Sequence, residues 1–233
     1  MTPLLDHRLW FPDPRAAESR AVSRGLVAIG GDLSPERLLL AYRSGIFPWT
    51  VNPITWWSPD PRGILEFDRV HISHRLEKTV RHQAAWAGEP GAEARSYQLT
   101  RNQCFRRVMT ECATRRHDGN WITSELIGAY TRLHELGHAH SVECWHQGEL
   151  AGGIYGVSIG GFFAGESMFY RSGNGSKIAL WGLVQHLLSR GFELFDVQVL
   201  TPTTIQLGGT NISRTDYLAR LETAVALPVS FGN

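Results

Sequence analysis

The stretch from Gly152 to Gln198 leaves this chain few folds to choose from. It reads G-G-I-Y-G-V-S-I-G-G-F-F-A-G-E-S-M-F-Y, then R-S-G-N-G-S-K-I-A-L, then an apolar run of helical length, then F-E-L-F-D-V-Q-V-L. The pattern spells strand, turn, strand, loop, helix, strand. Two of these strands carry acids among apolar neighbours: Glu166 in one, Asp196 beside Gln198 in the other. An ionised carboxylate in an apolar strand costs several kcal/mol unless it is partnered or wet. Side chains two apart on a strand share a face. Alternation therefore predicts that Asp196 and Gln198 point one way, with Glu193, Phe195, Val197 and Val199 the other. It also puts Glu166 on the face of Ala164 and Met168. If the strands are neighbours, two carboxylates and an amide converge on one cleft. The alternative is that Asp196 and Gln198 lie on a solvated face.

Upstream, Ser34 is a good N-cap, Pro35 suits the first helical position, and Glu36 favours the positive end of the helix dipole. Leu38, Leu39 and Tyr42 form the apolar stripe of that helix, and Gly45 is placed to stop it. With the Pro-rich aromatic segments around it, this predicts a small N-terminal domain over residues 1–70 and a larger one over 71–233. Ser73 caps a second helix, on which Arg75, Lys78 and His82 share a face with Arg81 adjoining. Such a face can track phosphates or simply meet water. Thr100-x-x-Gln103 reads as a capping box opening a helix with Phe105, Val108, Met109 and Cys112 inward, ending near Arg115-Arg116. Leu126, Ile127, Tyr130 and Leu133 mark the inner side of the next helix. A hairpin turning at Gln147-Gly148 leads into the strand before Glu166. The expected class is α+β.

The 233 residues are 42% hydrophobic and 19% charged with net charge +1, so overall charge gives no sign of a nucleic-acid partner. Cys104, Cys112 and Cys144 are odd in number and match no zinc spacing, so they read as free thiols in a reducing cytosol. The start has no signal-peptide pattern, and no apolar run is long enough to span a bilayer.

His134-Glu135-Leu136-Gly137-His138 matches the zinc-protease motif H-E-x-x-H, which makes a zinc hydrolase a rival reading. Against it, Gly137 reads as a helix terminator and an alternating strand follows at once, so His138 falls at or past the helix end. A zinc pair needs a continuous helix to keep both imidazoles in register. Arg171-Ser172-Gly173-Asn174-Gly175-Ser176-Lys177 is Gly-rich and precedes a helix. It reads either as an anion site at the helix start or as a flexible loop capped by Ser176. It is neither a Walker A sequence nor the full turn of a CoA-dependent acetyltransferase.

From about Phe11 to Leu218 the chain resembles the leucyl/phenylalanyl-tRNA–protein transferases. The resemblance rests on an ordered set: G-L-V-A-I-G-G-D-L-S-P-E-R-L-L-L-A-Y-R-S-G-I-F-P-W, W-W-S-P-D-P-R, W-I-T, H-E-L-G-H-A-H-S-V-E, G-G-I-Y-G-V, G-E-S-M-F, S-K-I-A-L and D-V-Q. It implies transfer of Leu or Phe, and less well Met, from aminoacyl-tRNA to the α-amine of proteins beginning with Arg or Lys, marking them for N-degron proteolysis in the cytoplasm. It implies a GNAT-like acyltransferase domain, no cofactor, no metal at the His134–His138 run and no membrane. By motif, the catalytic residues implied are Asp196, Gln198 and Glu166. Trp49 and Trp121 are implied around the terminal adenosine, and Ile154, Phe163, Met168, Leu183, Leu187 and Phe195 around the amino acid side chain. Phe163 and Met168 can line one pocket only if their strand bulges, and Gly165 is a natural place for that. Arg75, Lys78 and Arg81 are implied to hold the acceptor stem. The chain departs from the family after D-V-Q: of the usual His and S-L-G, Thr203-Thr204-Ile205-Gln206-Leu207-Gly208 keeps only Leu-Gly. A non-catalytic tRNA-binding module is the remaining alternative.

Overall fold

A computed structural model describes residues 2–17, 25–114 and 121–232. In chain order its first elements are β1 (Leu4–Leu5), β2 (Leu26–Gly30), α1 (Pro35–Arg43), β3 (Phe47–Val51), β4 (Ile54–Trp57) and β5 (Arg62–Leu65). Next come α2 (His74–Gln83), β6 (Ala84–Trp86), β7 (Tyr97–Arg101), α3 (Phe105–Thr114) and α4 (Ser124–Glu135). The remainder is β8 (Ala139–His146), β9 (Glu149–Ile159), β10 (Phe162–Tyr170), α5 (Gly175–Ser189), β11 (Leu194–Gln198), α6 (Pro202–Gln206), β12 (Gly209–Ile212) and α7 (Arg214–Val225). The class is α+β, as expected.

Local chemistry accounts for most helix starts. Ser34 Oγ accepts from the Arg37 amide, and Gly45, at φ 73°, closes the turn after α1, a backbone shape that costs a residue with Cβ more. Ser73 Oγ accepts from the Leu76 amide at the head of α2. The capping box expected at Thr100 and Gln103 is corrected. Thr100 lies within β7 and donates to the Glu143 carboxylate of β8. That buried carboxylate then accepts from the amides of Gln103 and Cys104, each at 3.4 Å, ahead of α3. A long-range acid does what a local Thr was expected to do. The end of α3 expected at Arg115-Arg116 lies outside the described residues. Helix α7 was not anticipated, although Ser213 accepts from the Asp216 amide and donates to its carboxylate.

A four-stranded sheet runs in the order β1-β2-β4-β3, and an eight-stranded sheet runs β12-β5-β11-β10-β9-β8-β7-β6. Strand β5, on the N-terminal side of residue 70, lies inside the larger sheet, antiparallel to both β11 and β12. One core fills the space between the small sheet, α1, α3, α4, α7 and one face of the larger sheet. The other packs α5 and Leu76 of α2 on the opposite face.

Strands β10 and β11 fix the functional geometry. They pair in parallel over only three registers, Phe162–Leu194 to Ala164–Asp196. Beyond that, β10 shifts register between Gly165 and Ser167, and β11 shifts between Asp196 and Gln198. The two strands lose their ladder at the same level, and a gap opens between them.

Candidate active site

Glu166 and Gln198 close the inner end of that gap. Glu166 Oε1 accepts from Gln198 Nε2 at 2.8 Å and from the Tyr42 hydroxyl at 2.7 Å. Tyr42 in turn meets the Tyr130 hydroxyl in a buried contact. Sequence reasoning had both tyrosines as apolar packing; their spacing fitted helix stripes and gave no sign of the polar chain. Glu166 is buried, and burial pushes its carboxyl up to about 7. The negative Asp196 adds to the rise, while the bonds from Tyr42 and Gln198 and the charge of Arg62 oppose it.

Asp196 faces elsewhere. It is fully buried, with Oδ1 accepting from Arg62 Nε at 2.9 Å and Oδ2 from Arg62 Nη2 at 2.6 Å and the Tyr217 hydroxyl at 2.8 Å. The expectation that Asp196 and Gln198 share a face is corrected. Gln198 has φ 63°, so the strand leaves β geometry there and alternation fails. A non-glycine residue in the left-handed region costs of order 1–3 kcal/mol and persists only when its surroundings hold it. Asp196 supplies that hold: its Oδ1 also accepts from the Gln198 amide at 2.8 Å. Asp196 thus fixes the Gln198 backbone, while Glu166 fixes the Gln198 side chain.

Arg62 was missed by sequence reasoning. Its guanidinium also donates to the Gly45 carbonyl at 3.0 Å and lies over the rings of Phe47 and Tyr217 at 4.9 and 4.4 Å. Burial works against its charge, but the Asp196 carboxylate outweighs it and raises the Arg62 pKa above its ordinary value. The W-W-S-P-D-P-R motif contains this arginine, so a buried acid 134 positions away was the missing information.

In front of Glu166 and Gln198 lies a cleft of about 550 Å³. Trp49 of β3 and Trp121, just before α4, flank it, and Ile154, Met168, Leu180, Phe195 and Val197 give it an apolar floor. Phe163, Leu183 and Leu187 do not line it. They are buried in the core behind it, with Phe163 edge-on to Phe195 at 5.6 Å between centroids. The β10 register shift sits at Gly165, and it brings Met168 to the same core as Phe163. It also removes Met168 from the face of Ala164, which belongs to the other core. The mouth carries hydroxyls from the altered loop, Thr201, Thr203 and Thr204. Thr201 and Thr204 cap one another reciprocally at the start of α6.

Arg75, Lys78 and Arg81 are exposed on α2, outside the cleft, while Leu76 and Val80 face the core. Helix α4 ends at Glu135, so His138 is past its end. The His134 ring stacks on Phe105 at 4.4 Å, and its Nδ1 donates to the Ala139 carbonyl at 2.8 Å. These contacts orient His134 for packing, away from the register a zinc pair requires. Among the described residues, no group of three His, Cys, Asp or Glu side chains is arranged to hold a metal ion. Asn174, not Ser176, is the N-cap of α5, and it makes no side-chain cap bond. A Cβ on Gly175 would lie 2.3 Å from the Ala151 carbonyl oxygen, so strand backbone covers the start of this helix. No helix among the described residues is long and apolar enough to cross a membrane.

The α+β fold thus sets an amide and a carboxylate at the head of an apolar cleft, an arrangement that acyl transfer can use. A family model described as leucyl/phenylalanyl-tRNA protein transferase matches residues 64–222, and a second, for the N-terminal domain of that family, matches residues 31–60. The chain is 46% identical over 214 residues to the leucyl/phenylalanyl-tRNA–protein transferase of Shigella sonnei, covering 91% of this chain and 86% of that one. It is 46% identical over 216 residues to the same enzyme of Magnetococcus marinus, covering 89% and 87%. The chain belongs to the leucyl/phenylalanyl-tRNA–protein transferase family. It is an aminoacyltransferase, and its substrates are an aminoacyl-tRNA and a protein. Among solved structures, a GCN5-related N-acetyltransferase-like protein from Streptococcus suis is similar at 18% identity and TM-score 0.34, over 65% of this chain and 58% of that one. A likeness at that score carries no weight for the site.

Proposed function

We propose that this enzyme transfers Leu or Phe, and Met less well, from tRNA to the α-amine of proteins beginning with Arg or Lys, in the cytoplasm, marking them for N-degron proteolysis. The observation that carries the proposal is the Glu166–Gln198 pair at the head of an apolar cleft flanked by two tryptophans. The amino acid side chain enters the floor formed by Ile154, Met168 and Phe195. A hydrocarbon pocket discriminates by about 1–3 kcal/mol per methylene, which suits a small group of apolar side chains. Trp49, 40% exposed, and Trp121 offer flat faces for the terminal adenine, and stacking on aromatic rings is sequence-tolerant. The cationic side of α2, through Arg75, Lys78 and Arg81, takes phosphates of the acceptor stem, whose contacts carry no sequence information directly.

The reaction is aminolysis of an ester. A carbon–nitrogen bond forms, the bond to the ribose oxygen breaks, and the amine proton ends on that oxygen. The α-amine has a pKa of about 7.7–8.0, so a useful fraction is neutral at pH 7 and orientation dominates. Gln198 Nε2 donates to Glu166, which turns the amide carbonyl outward to accept a hydrogen from the amine. An amide cannot keep a proton, whereas Glu166, poised near neutrality, can accept it and pass it on. Asp196, engaged by Arg62 and Tyr217, acts as a positioning residue. A guanidinium or ammonium from the acceptor near Glu166 keeps that carboxylate ionised, which links choice of Arg or Lys to activation.

Purified protein given labelled Phe-tRNA will move label to a peptide starting with Arg and not to one starting with Gly, without metal or ATP. Equal transfer to both peptides overturns the acceptor assignment, and binding of tRNA without turnover favours a tRNA-binding module.

The pH profile tests the proton path. A protonated Glu166 cannot accept a proton, so kcat/KM for the acceptor peptide should climb with pH through two limbs. One lies near 7, where Glu166 ionises, and the other at about 7.7–8.0, where the amine becomes neutral. Glu166→Gln should abolish the limb near 7 and keep the other. Survival of both limbs in that variant removes Glu166 from the proton path.

A further inference from the structure

We propose that Phe231, in the segment after α7, sets the depth of the amino acid pocket and so acts as a specificity-positioning residue; this rests on the reading of the cleft floor as the side-chain pocket. Phe195 lines the cleft, and its ring is braced edge-on by Phe163 at 5.6 Å. The Phe163 ring cannot move toward β9, because it occupies the space a side chain at Gly156 would need: a Cβ there would lie 2.5 Å from Phe163 Cε1. Behind Phe163 stands Phe231, at 5.9 Å with rings 29° apart. Phe231 is 1% exposed. It stacks on His140 at 4.1 Å and meets His186 edge-on at 4.5 Å.

The backbone of this segment is tied down as well. His186 Nε2 donates to the Phe231 carbonyl at 2.7 Å, and Arg190 Nε donates to the Ser230 carbonyl at 3.1 Å. His140 Nε2 donates to the Gly137 carbonyl at 3.1 Å while its Nδ1 accepts from Asn102 at 3.1 Å. With Nδ1 accepting and Nε2 donating, His140 is a neutral imidazole, and burial lowers the His186 pKa below its ordinary value. Phe231 also belongs to the lining of a second cavity of about 410 Å³, with His138, Ser158 and Val229. The ring is therefore the rear layer of a packed aromatic stack, Phe231 on Phe163 on Phe195, that ends at the cleft floor. Removing it gives Phe163, and with it Phe195, room to retreat. Close packing makes such a wall hold its position only while every layer is present.

One tRNA charged in turn with Leu, Phe and Trp reads this out, because its RNA contacts are constant. Phe231→Ala should raise the Trp-to-Leu ratio of kcat/KM by roughly tenfold, the range expected when a hydrophobic pocket changes by a methylene or more. Phe231→Leu, which removes less volume, should move the ratio the same way by less, and it serves if the alanine variant does not fold. A packing role alone would lower the unfolding temperature and slow all three substrates alike; ratios unchanged in both variants overturn the proposal. Leu180→Phe, on the cleft wall itself, separates the two readings. It should shift preference toward Leu, and no shift there means that the cleft floor is not the side-chain pocket.

Discussion

Replacing Arg62 with methionine will lower the unfolding free energy by roughly 3–5 kcal/mol, the cost of leaving a buried ion without its partner. Asp196 is fully buried, and without Arg62 it keeps, among the described residues, the Tyr217 hydroxyl and the Gln198 amide as donors. The guanidinium also bridges to the Gly45 carbonyl after α1 and to the rings of Phe47 and Tyr217. Its loss therefore loosens the joint between the small sheet, β11 and α7. The double change Arg62→Met with Asp196→Leu should recover much of the stability, because apolar residues of similar volume often replace a buried ion pair without loss. It should not recover transfer, since nothing then holds the Gln198 amide in its left-handed conformation. Chemical denaturation of the three proteins, with transfer measured on each, checks this. A single variant within about 1 kcal/mol of the parent, the size of an exposed pair, would show that Arg62 and Asp196 are not a coupled buried unit. Transfer restored in the double variant would separate Asp196 from the chemistry.

Substituting Gln198 has the opposite signature. Gln198 is half-buried, and its side chain makes one bond, to Glu166. Gln198→Ala keeps the backbone anchor to Asp196 and should leave stability nearly unchanged. It removes the group proposed to orient the amine, and loss of a positioned polar group of this kind should lower turnover by about 10²–10³-fold. Large loss of stability with retained transfer belongs to Arg62, and large loss of transfer with retained stability belongs to Gln198. The two variants thus divide the scaffold of the site from its working face.

Much of this was legible in the residues. Ser34, Pro35, Glu36 and Gly45 delimit α1 because capping acts over one turn and needs no distant partner. Gly165 marks the β10 bulge for the same local reason. The failures share a different cause. Alternation placed Asp196 and Gln198 together, and it failed because Asp196, fixed by the distant Arg62 and Tyr217, holds the Gln198 amide in a conformation where glycine is usual. Thr100 and Gln103 satisfy the local spacing of a capping box, but Glu143, forty residues on, takes the role. Tyr42 and Tyr130 obey helical periodicity, which reports which side is inward and says nothing of a carboxylate waiting there. The role of Arg62 shows only once β11 is set beside β5. The resemblance found the residues around the cleft, including Trp49 and Trp121, that periodicity alone would have left in the core. It gave Phe163, Leu183 and Leu187 as pocket positions, and these belong to the layer behind.

Gln198, held by Glu166 and Asp196, is proposed to orient the attacking amine. Single-turnover transfer from Phe-tRNA to an Arg-starting peptide, with enzyme in excess, tests it most directly in Gln198→Ala. The transfer step should slow by about 10²–10³-fold, with unaltered binding of Phe-tRNA and an unaltered unfolding curve. A transfer step within threefold of the parent would contradict it and return the orienting role to Glu166 or to the tRNA itself.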